Sequence, residues 1–209
     1  MKINRFSCRS KMKSDNAGTT LVEMIISFML LSIFMVSAAT IITLIANMYY
    51  AVKGESYSNQ VADIVLEKVV SEIEGAKYDS KRKNDSVKIA SDNSSISLSD
   101  RTDTDLTLYA ADGRLKIDYA QITNLQDTSL NRNATTWELA KDVYNGYTVN
   151  NLRFFSGSKV GTFANAKDYG LDPDSVSYGD DVVVVFLSLH SEQYTDYKTF
   201  RVVKMYNMK

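Results

Sequence analysis

The sequence predicts an α+β protein: one long N-terminal helix packed on an antiparallel β-sheet. Three observations predict it. Met24–Ala46 is a run of 23 uncharged residues without Gly or Pro. Beyond it, apolar residues recur every three or four positions at Val61, Val65, Val69, Ile73 and Ala76, with Ile64 alongside, which is the period of a helix with one buried stripe. After Ser80 the pattern changes to short β-rich segments separated by turn residues.

The helix is the first element. A basic leader, residues 1–18, precedes it: Lys2, Arg5, Arg9, Lys11 and Lys13 face a single acid, Asp15, a formal +4. The chain as a whole carries −1, so the remainder carries −5. Residues 19–52 are apolar, and Glu23 is their one charged side chain. The run exceeds the roughly 20 residues needed to cross a bilayer. Lys and Arg just before it predict a cytoplasmic N-terminus and an exported C-terminal part. Residues 53–79 continue as the amphipathic half, with Asp63, Glu67, Glu74 and Lys77 opposite the apolar stripe. Gly54 is the expected bend, and Gly75 with the polar cluster after it is the expected stop.

Residues 80–209 form the globular part. Val87–Ala90 and Ile96–Leu98 are short candidate strands. Leu106–Tyr109 and Leu115–Tyr119 flank Asp112-Gly113, a strong hairpin signal. Thr135–Tyr144, with Trp137, reads as a short helix or loop, and Tyr147–Phe155 alternates as a strand. Val182–Leu189 is a nearly continuous β-branched run, the mark of a central strand, and Thr199–Tyr206 is the last strand. Residues 156–181 hold four of the nine glycines and the one proline, and read as a long loop.

Composition removes several classes of function. With 44% hydrophobic residues and one Cys among 209, the chain is neither disordered nor a disulfide scaffold. One His and one Cys leave little material for zinc, haem or cysteine chemistry. A net charge of −1 argues against a general nucleic-acid binder. His190 ends a strand without a companion His or Cys, and no Ser–His–Asp arrangement or phosphate-cradling loop can be defended, so no enzyme activity is expected. Asp172, Asp174, Asp180 and Asp181 make an acidic loop and are weak calcium candidates, but their spacing matches no EF-hand. The expectation is therefore no cofactor. Most of the thirteen Tyr read as sheet residues.

Glu23 is the residue that composition does not explain. A carboxylate at membrane depth is unfavourable and marks a functional suspect. Val36-Ser37-Ala38 imitates a small-residue cleavage site, yet cleavage there would leave Glu23 unexplained. Ala17-Gly18-Thr19-Thr20-Leu21-Val22-Glu23, followed by the apolar run, resembles the type IV prepilin signal. That signal is a short basic leader, Gly at the cut, then an aromatic residue, Thr, Leu, any residue and Glu. Gly18, Thr20, Leu21 and Glu23 match at the expected spacing, while Thr19 stands where the family usually has Phe or Met.

The resemblance implies that a prepilin peptidase cuts between Gly18 and Thr19 from the cytoplasmic side and N-methylates Thr19. It implies that Leu21 and Glu23 serve assembly, with Glu23 pairing with the N-terminal ammonium of a neighbouring pilin subunit. It also implies the pilin plan for a continuous helix of about 55 residues, about 80 Å long: the first half packs in a fibre core, the second on a sheet. Where many major pilins have a helix-breaking Pro, this chain has Thr40. Ser71–Ala76, Val149–Phe155 and Thr199–Asn207 are similar to the corresponding segments of minor pilins and J-type pseudopilins. The implied function is a structural subunit of a type IV-type pilus or a related secretion or DNA-uptake filament. Its implied partners are the peptidase, other subunits and the membrane, with no nucleic acid expected from net charge. It would be single-pass in the cytoplasmic membrane and then extracellular. The alternative is an uncleaved, membrane-anchored binding or sensory domain.

Overall fold

The computed structural model describes residues 20–76, 87–99, 104–122, 131–173 and 178–205. One helix, α1 (Leu21–Gly75), is followed by eight strands in two antiparallel sheets, an α+β fold. The chain divides into two compact units, Met1–Asn47 and Met48–Lys209.

In the first unit the described residues from Leu21 on are helix, and nearly all are exposed. Four of its hydroxyls are satisfied within the helix. Ser32, Ser37, Thr40 and Thr43 donate to the carbonyls of Phe28, Ile33, Val36 and Ala39, at 2.7, 2.8, 2.9 and 2.9 Å. Such back-bonding to the preceding turn removes the need of these four hydroxyls for water. The helix is long and apolar enough to cross a membrane.

In the second unit α1 buries Gly54, Ser58, Val61, Ala62, Val65, Leu66, Val69 and Ile73. The stripe expected from Val61, Val65, Val69 and Ile73 is present, but Ile64 is off it, 42% exposed. At about 100° per residue, Ile64 falls on the far margin, and Ala62 and Leu66 take the inner positions. Gly54 has a packing role. A Cβ there would lie 2.9 Å from Cδ1 of Tyr194, and its carbonyl accepts a 3.1 Å hydrogen bond from the Tyr147 hydroxyl.

The first sheet is a meander of β1 (Val87–Ile89), β2 (Ser95–Ser99), β3 (Asp105–Ala111), β4 (Arg114–Tyr119) and β5 (Thr135–Glu138), in that order. Alternation sorts its faces. Ile96, Leu98, Leu106, Leu108, Leu115 and Ile117 join the helix stripe in one core. The outer face is polar: Ser97 shares a hydrogen bond with Thr107, Thr136 donates to Asp118, and Arg114 pairs with Glu138. Asp112 and Gly113 turn the β3–β4 hairpin at φ 54° and 72°. Positive φ at both central residues fits a type I′ turn and explains the Asp-Gly pair.

The second sheet is β6 (Thr148–Ser156), β7 (Val182–His190) and β8 (Tyr197–Lys204), with β7 central. The split into two sheets was not expected. The chain leaves β5, makes a 3₁₀ turn at Lys141–Tyr144, and reverses through Asn145 and Gly146, both at positive φ. The short helix or loop expected over Thr135–Tyr144 holds for its second half only; its first four residues are a strand that pairs with β4, with Trp137 opposite Ile117. The open edge of β6 meets turns of the first sheet: Phe154 N–H donates to Asn93 and Val149 N–H to Gly113, at 2.9 and 2.8 Å.

β7 is buried from Val182 to Leu189 because both of its faces are covered. Val183, Val185, Leu187 and Leu189 face the helix core. Val182, Val184 and Phe186 face a second core with Phe155, Val160, Ala166, Tyr169 and Leu171. The expected long loop supplies that second core. Its described part folds over the sheet as two 3₁₀ turns, Gly157–Thr162 and Ala166–Tyr169. Gly157 is required by close approach, since a Cβ there would lie 2.5 Å from the Gly179 carbonyl and from Tyr178 Cβ.

Candidate functional site

The candidate site is the start of α1. Gly18 and Thr19, the expected cleavage and methylation positions, lie outside the described residues. Thr20 is the residue before the helix, and Leu21 is its first residue, 77% exposed. Thr20 N–H donates to Glu23 Oε2 at 2.9 Å, and Glu23 N–H donates to Thr20 Oγ1 at 3.3 Å. This reciprocal pair is a capping box, in which a Thr before the helix and a Glu three residues on satisfy donors that the helix leaves open. The carboxylate also lies at the helix N-terminus, where the macrodipole favours negative charge. Among the described residues Glu23 Oε1 has no partner. The Thr-x-x-Glu spacing before an apolar run is a sequence signature of such a cap; reading Glu23 for its charge alone passes over it.

Tyr49, Tyr50, Lys53 and Tyr57 mark the end of the apolar run. The Lys53 ammonium sits 5.7 Å from the Tyr49 ring centre and 5.4 Å from that of Tyr57. Aromatic and basic side chains gather where an apolar span meets water, since each has an apolar body and a polar end.

His190 Nδ1 lies 2.7 Å from Asp196 Oδ1, and both side chains are about half exposed, at 52% and 54%. No hydroxyl or thiol nucleophile completes that pair among the described residues. Asp172 lies 3.3 Å from Lys167, and Asp181 lies 3.6 Å from Lys204. Asp180 is exposed and Asp174 lies outside the described residues. Among the described residues no group of three or more His, Cys, Asp or Glu is arranged to hold a metal ion.

One network was not legible in advance. Lys68 pairs with Glu72 at 2.5 Å, Tyr119 donates to the same carboxylate at 2.9 Å, and the Lys68 ammonium lies 5.0 Å from the Trp137 ring centre. It ties the outer side of α1 to β4 and β5. Burial, then the Glu72 carboxylate, raise the Tyr119 hydroxyl above its ordinary value. Burial is the largest single influence on the Lys68 ammonium and lowers it, but the hydrogen bond and charge of Glu72 together with Tyr119 outweigh burial, and Lys68 is also raised. Its members come from three distant stretches, so no local pattern announces it.

No protein-family model, no curated protein and no solved structure matches this chain.

Proposed function

We propose that the chain is a structural subunit, of minor-pilin or pseudopilin type, of a type IV-type filament. In this reading prepilin peptidase cuts between Gly18 and Thr19 and methylates Thr19, and the subunit joins its neighbours through the apolar half of α1. The observation that carries the reading is the junction itself: Gly18-Thr19-Thr20-Leu21-Val22-Glu23 leads directly into an unbroken, exposed apolar helix. Cleavage after Gly18 would remove the leader and spare that helix. Glu23 Oε2 serves the cap while Oε1 stays open to a cation, and a neighbour's N-terminal ammonium is the cation such processing creates. Pairing offsets the cost of a carboxylate in apolar surroundings.

A second reading is an uncleaved, membrane-anchored extracytoplasmic domain. The capping box favours it, because the cap gives Glu23 a role inside a single chain. Intact mass of protein extracted from cells containing the peptidase separates the two. The first reading expects loss of residues 1–18 plus one methyl group, and Gly18→Val at full precursor mass. A wild-type chain at precursor mass, or a Gly18→Val variant cut like wild type, overturns it.

A further inference from the structure

One hollow in the second unit has a lining of carboxamides, one Arg and aromatic rings. It lies on the face of the β6–β7–β8 sheet turned away from α1 and has a volume of about 360 Å³. Its wall comes from three stretches: Asn93 in the β1–β2 turn, Asn151 and Arg153 on β6, and Thr162, Phe163 and Asn165 on the covering segment. No carboxylate and no aliphatic side chain lines it.

The polar groups are open and their positions are set. Asn151 Oδ1 accepts from Arg153 Nε at 2.9 Å, which leaves the Asn151 amide hydrogens free. The Asn93 and Asn165 side chains have no partner among the described residues, and Arg153 forms no ion pair there. Arg153 Nη1 donates to the Asp92 carbonyl, and Phe154 N–H donates to the Asn93 carbonyl at 2.9 Å, so the turn is anchored to β6. The Phe163 ring centre lies 4.8 Å from those of both Phe155 and Phe186, which hold the half-exposed ring in place.

We propose that this hollow binds a sugar ring. A pyranose presents adjacent hydroxyls, each a donor and an acceptor, along with an apolar C–H face. Carboxamides match the hydroxyls because each side chain also offers both donors and an acceptor. Phe163 supplies an apolar aromatic wall for the C–H face. The volume is at the lower end of ligand pockets, about 300–1,000 Å³, and suits one or two rings of a longer glycan. A single cation among carboxamides is too little charge for a polyanion, and the polar wall does not suit an apolar ligand. Because the turn and the ring are already held, little ordering is needed on binding.

The test is isothermal titration of the full-length protein, in a sugar-free detergent, with neutral, N-acetylated and uronic-acid oligosaccharides and with inorganic phosphate. Binding of at least one saccharide class is expected, weakened tenfold or more by Asn165→Ala and by Asn93→Gly. Asn165 is exposed, so its truncation leaves the fold intact. Asn93 sits at φ 60°, a conformation Gly adopts freely, so Asn93→Gly removes the carboxamide and keeps the turn. Thermal unfolding like wild type confirms that both variants are folded. Preference for uronic acids would assign the recognition to Arg153, and preference for neutral sugars to the carboxamides; both support the site. The proposal is overturned by no saccharide binding at millimolar concentration, by binding that both folded variants retain, or by binding of phosphate alone.

Discussion

Between Leu21 and Asn47 the helix exposes Ile33, Phe34 and Val36 at 64%, 68% and 68%, whereas farther on Val61, Val65 and Val69 are 0% exposed. Both stretches are apolar, and they differ in arrangement. The second keeps its apolar residues at intervals of three or four and sets Asp63, Glu67 and Glu74 on the other side, so a sheet covers the stripe. The first is apolar all round, so no single packed face satisfies it. Sequence in the second stretch is answered inside the fold. In the first, the apolar side chains of the described residues stay exposed, and the stretch is long and apolar enough to cross a membrane.

The largest expected contrast comes from placing the same charge in each stretch. Val69→Asp puts an unpaired carboxylate into the helix–sheet core, which costs several kcal/mol against a typical domain stability of about 5–15 kcal/mol. The sheet signal in circular dichroism should be lost, or its melting temperature should fall steeply. Ile33→Asp should leave that melt unchanged and instead disfavour membrane insertion by about 3–4 kcal/mol. Equal effects of the two substitutions on the sheet melt would break the distinction.

A smaller contrast uses two tyrosines. Tyr144 is buried and its hydroxyl accepts the Leu115 N–H at 2.8 Å. Tyr144→Phe leaves that buried N–H without a partner, at about 1–3 kcal/mol. Tyr49, 60% exposed, should tolerate Phe within about 0.5 kcal/mol. Denaturant midpoints of the full-length protein decide it, and equal midpoints for the two variants would refute the assignment.

The alkaline limb of stability sharpens the comparison further, because the raised Lys68 and Tyr119 both tie the second stretch to the first sheet. Each has a folded pKa above its unfolded value, so its contribution is complete below ordinary values of 10.5 and 10.0 and disappears as pH rises through the folded values. Glu72→Gln removes the carboxylate that both groups meet. The variant should be less stable than wild type near neutrality, and the gap should narrow above about pH 10. A gap that stays constant from neutral to alkaline pH would show that the network does not titrate as a unit.

Much of the second unit was legible because its signals are local. Asp112-Gly113 marked its hairpin, Val182–Leu189 its central strand, and Val61 to Ile73 the buried stripe. The division into two sheets was not, since β5 is four residues long with only Trp137 half-buried to signal it. The second core escaped for a related reason. Val160, Ala166, Tyr169 and Leu171 are buried at irregular spacing, which matches neither helix nor strand, and they cohere only after folding onto Phe186. The saccharide-type hollow joins residues some seventy positions apart, and no motif could name it. At the helix start the signal was present twice over: Thr20-x-x-Glu23 belongs both to a capping box and to the prepilin junction.

That double reading supports the finest test, because a cap and a charge pair respond differently to one substitution. A capping box accepts Gln at its third helical position as well as Glu, whereas an ion pair with a neighbour's ammonium needs the charge. Loss of a cap of this kind costs about 0.5–2 kcal/mol at one helix end, too little and too remote to unfold the second unit. Glu23→Ala removes the carboxylate half of the capping box and the charge together, leaving the backbone N–H of residue 23 on Thr20 Oγ1; Glu23→Gln keeps the box geometry and removes the charge. The measurement is the amount of subunit in sheared filament fractions relative to membrane fractions, with cleavage checked by mass. If Glu23 is an assembly contact, both variants are cleaved but depleted from filaments, and Gln is as poor as Ala. If its role is the cap, Gln enters filaments like wild type and only Ala is depleted. Equal entry of all three proteins would leave Glu23 a boundary residue, with the filament reading resting on the Gly18–Thr19 junction.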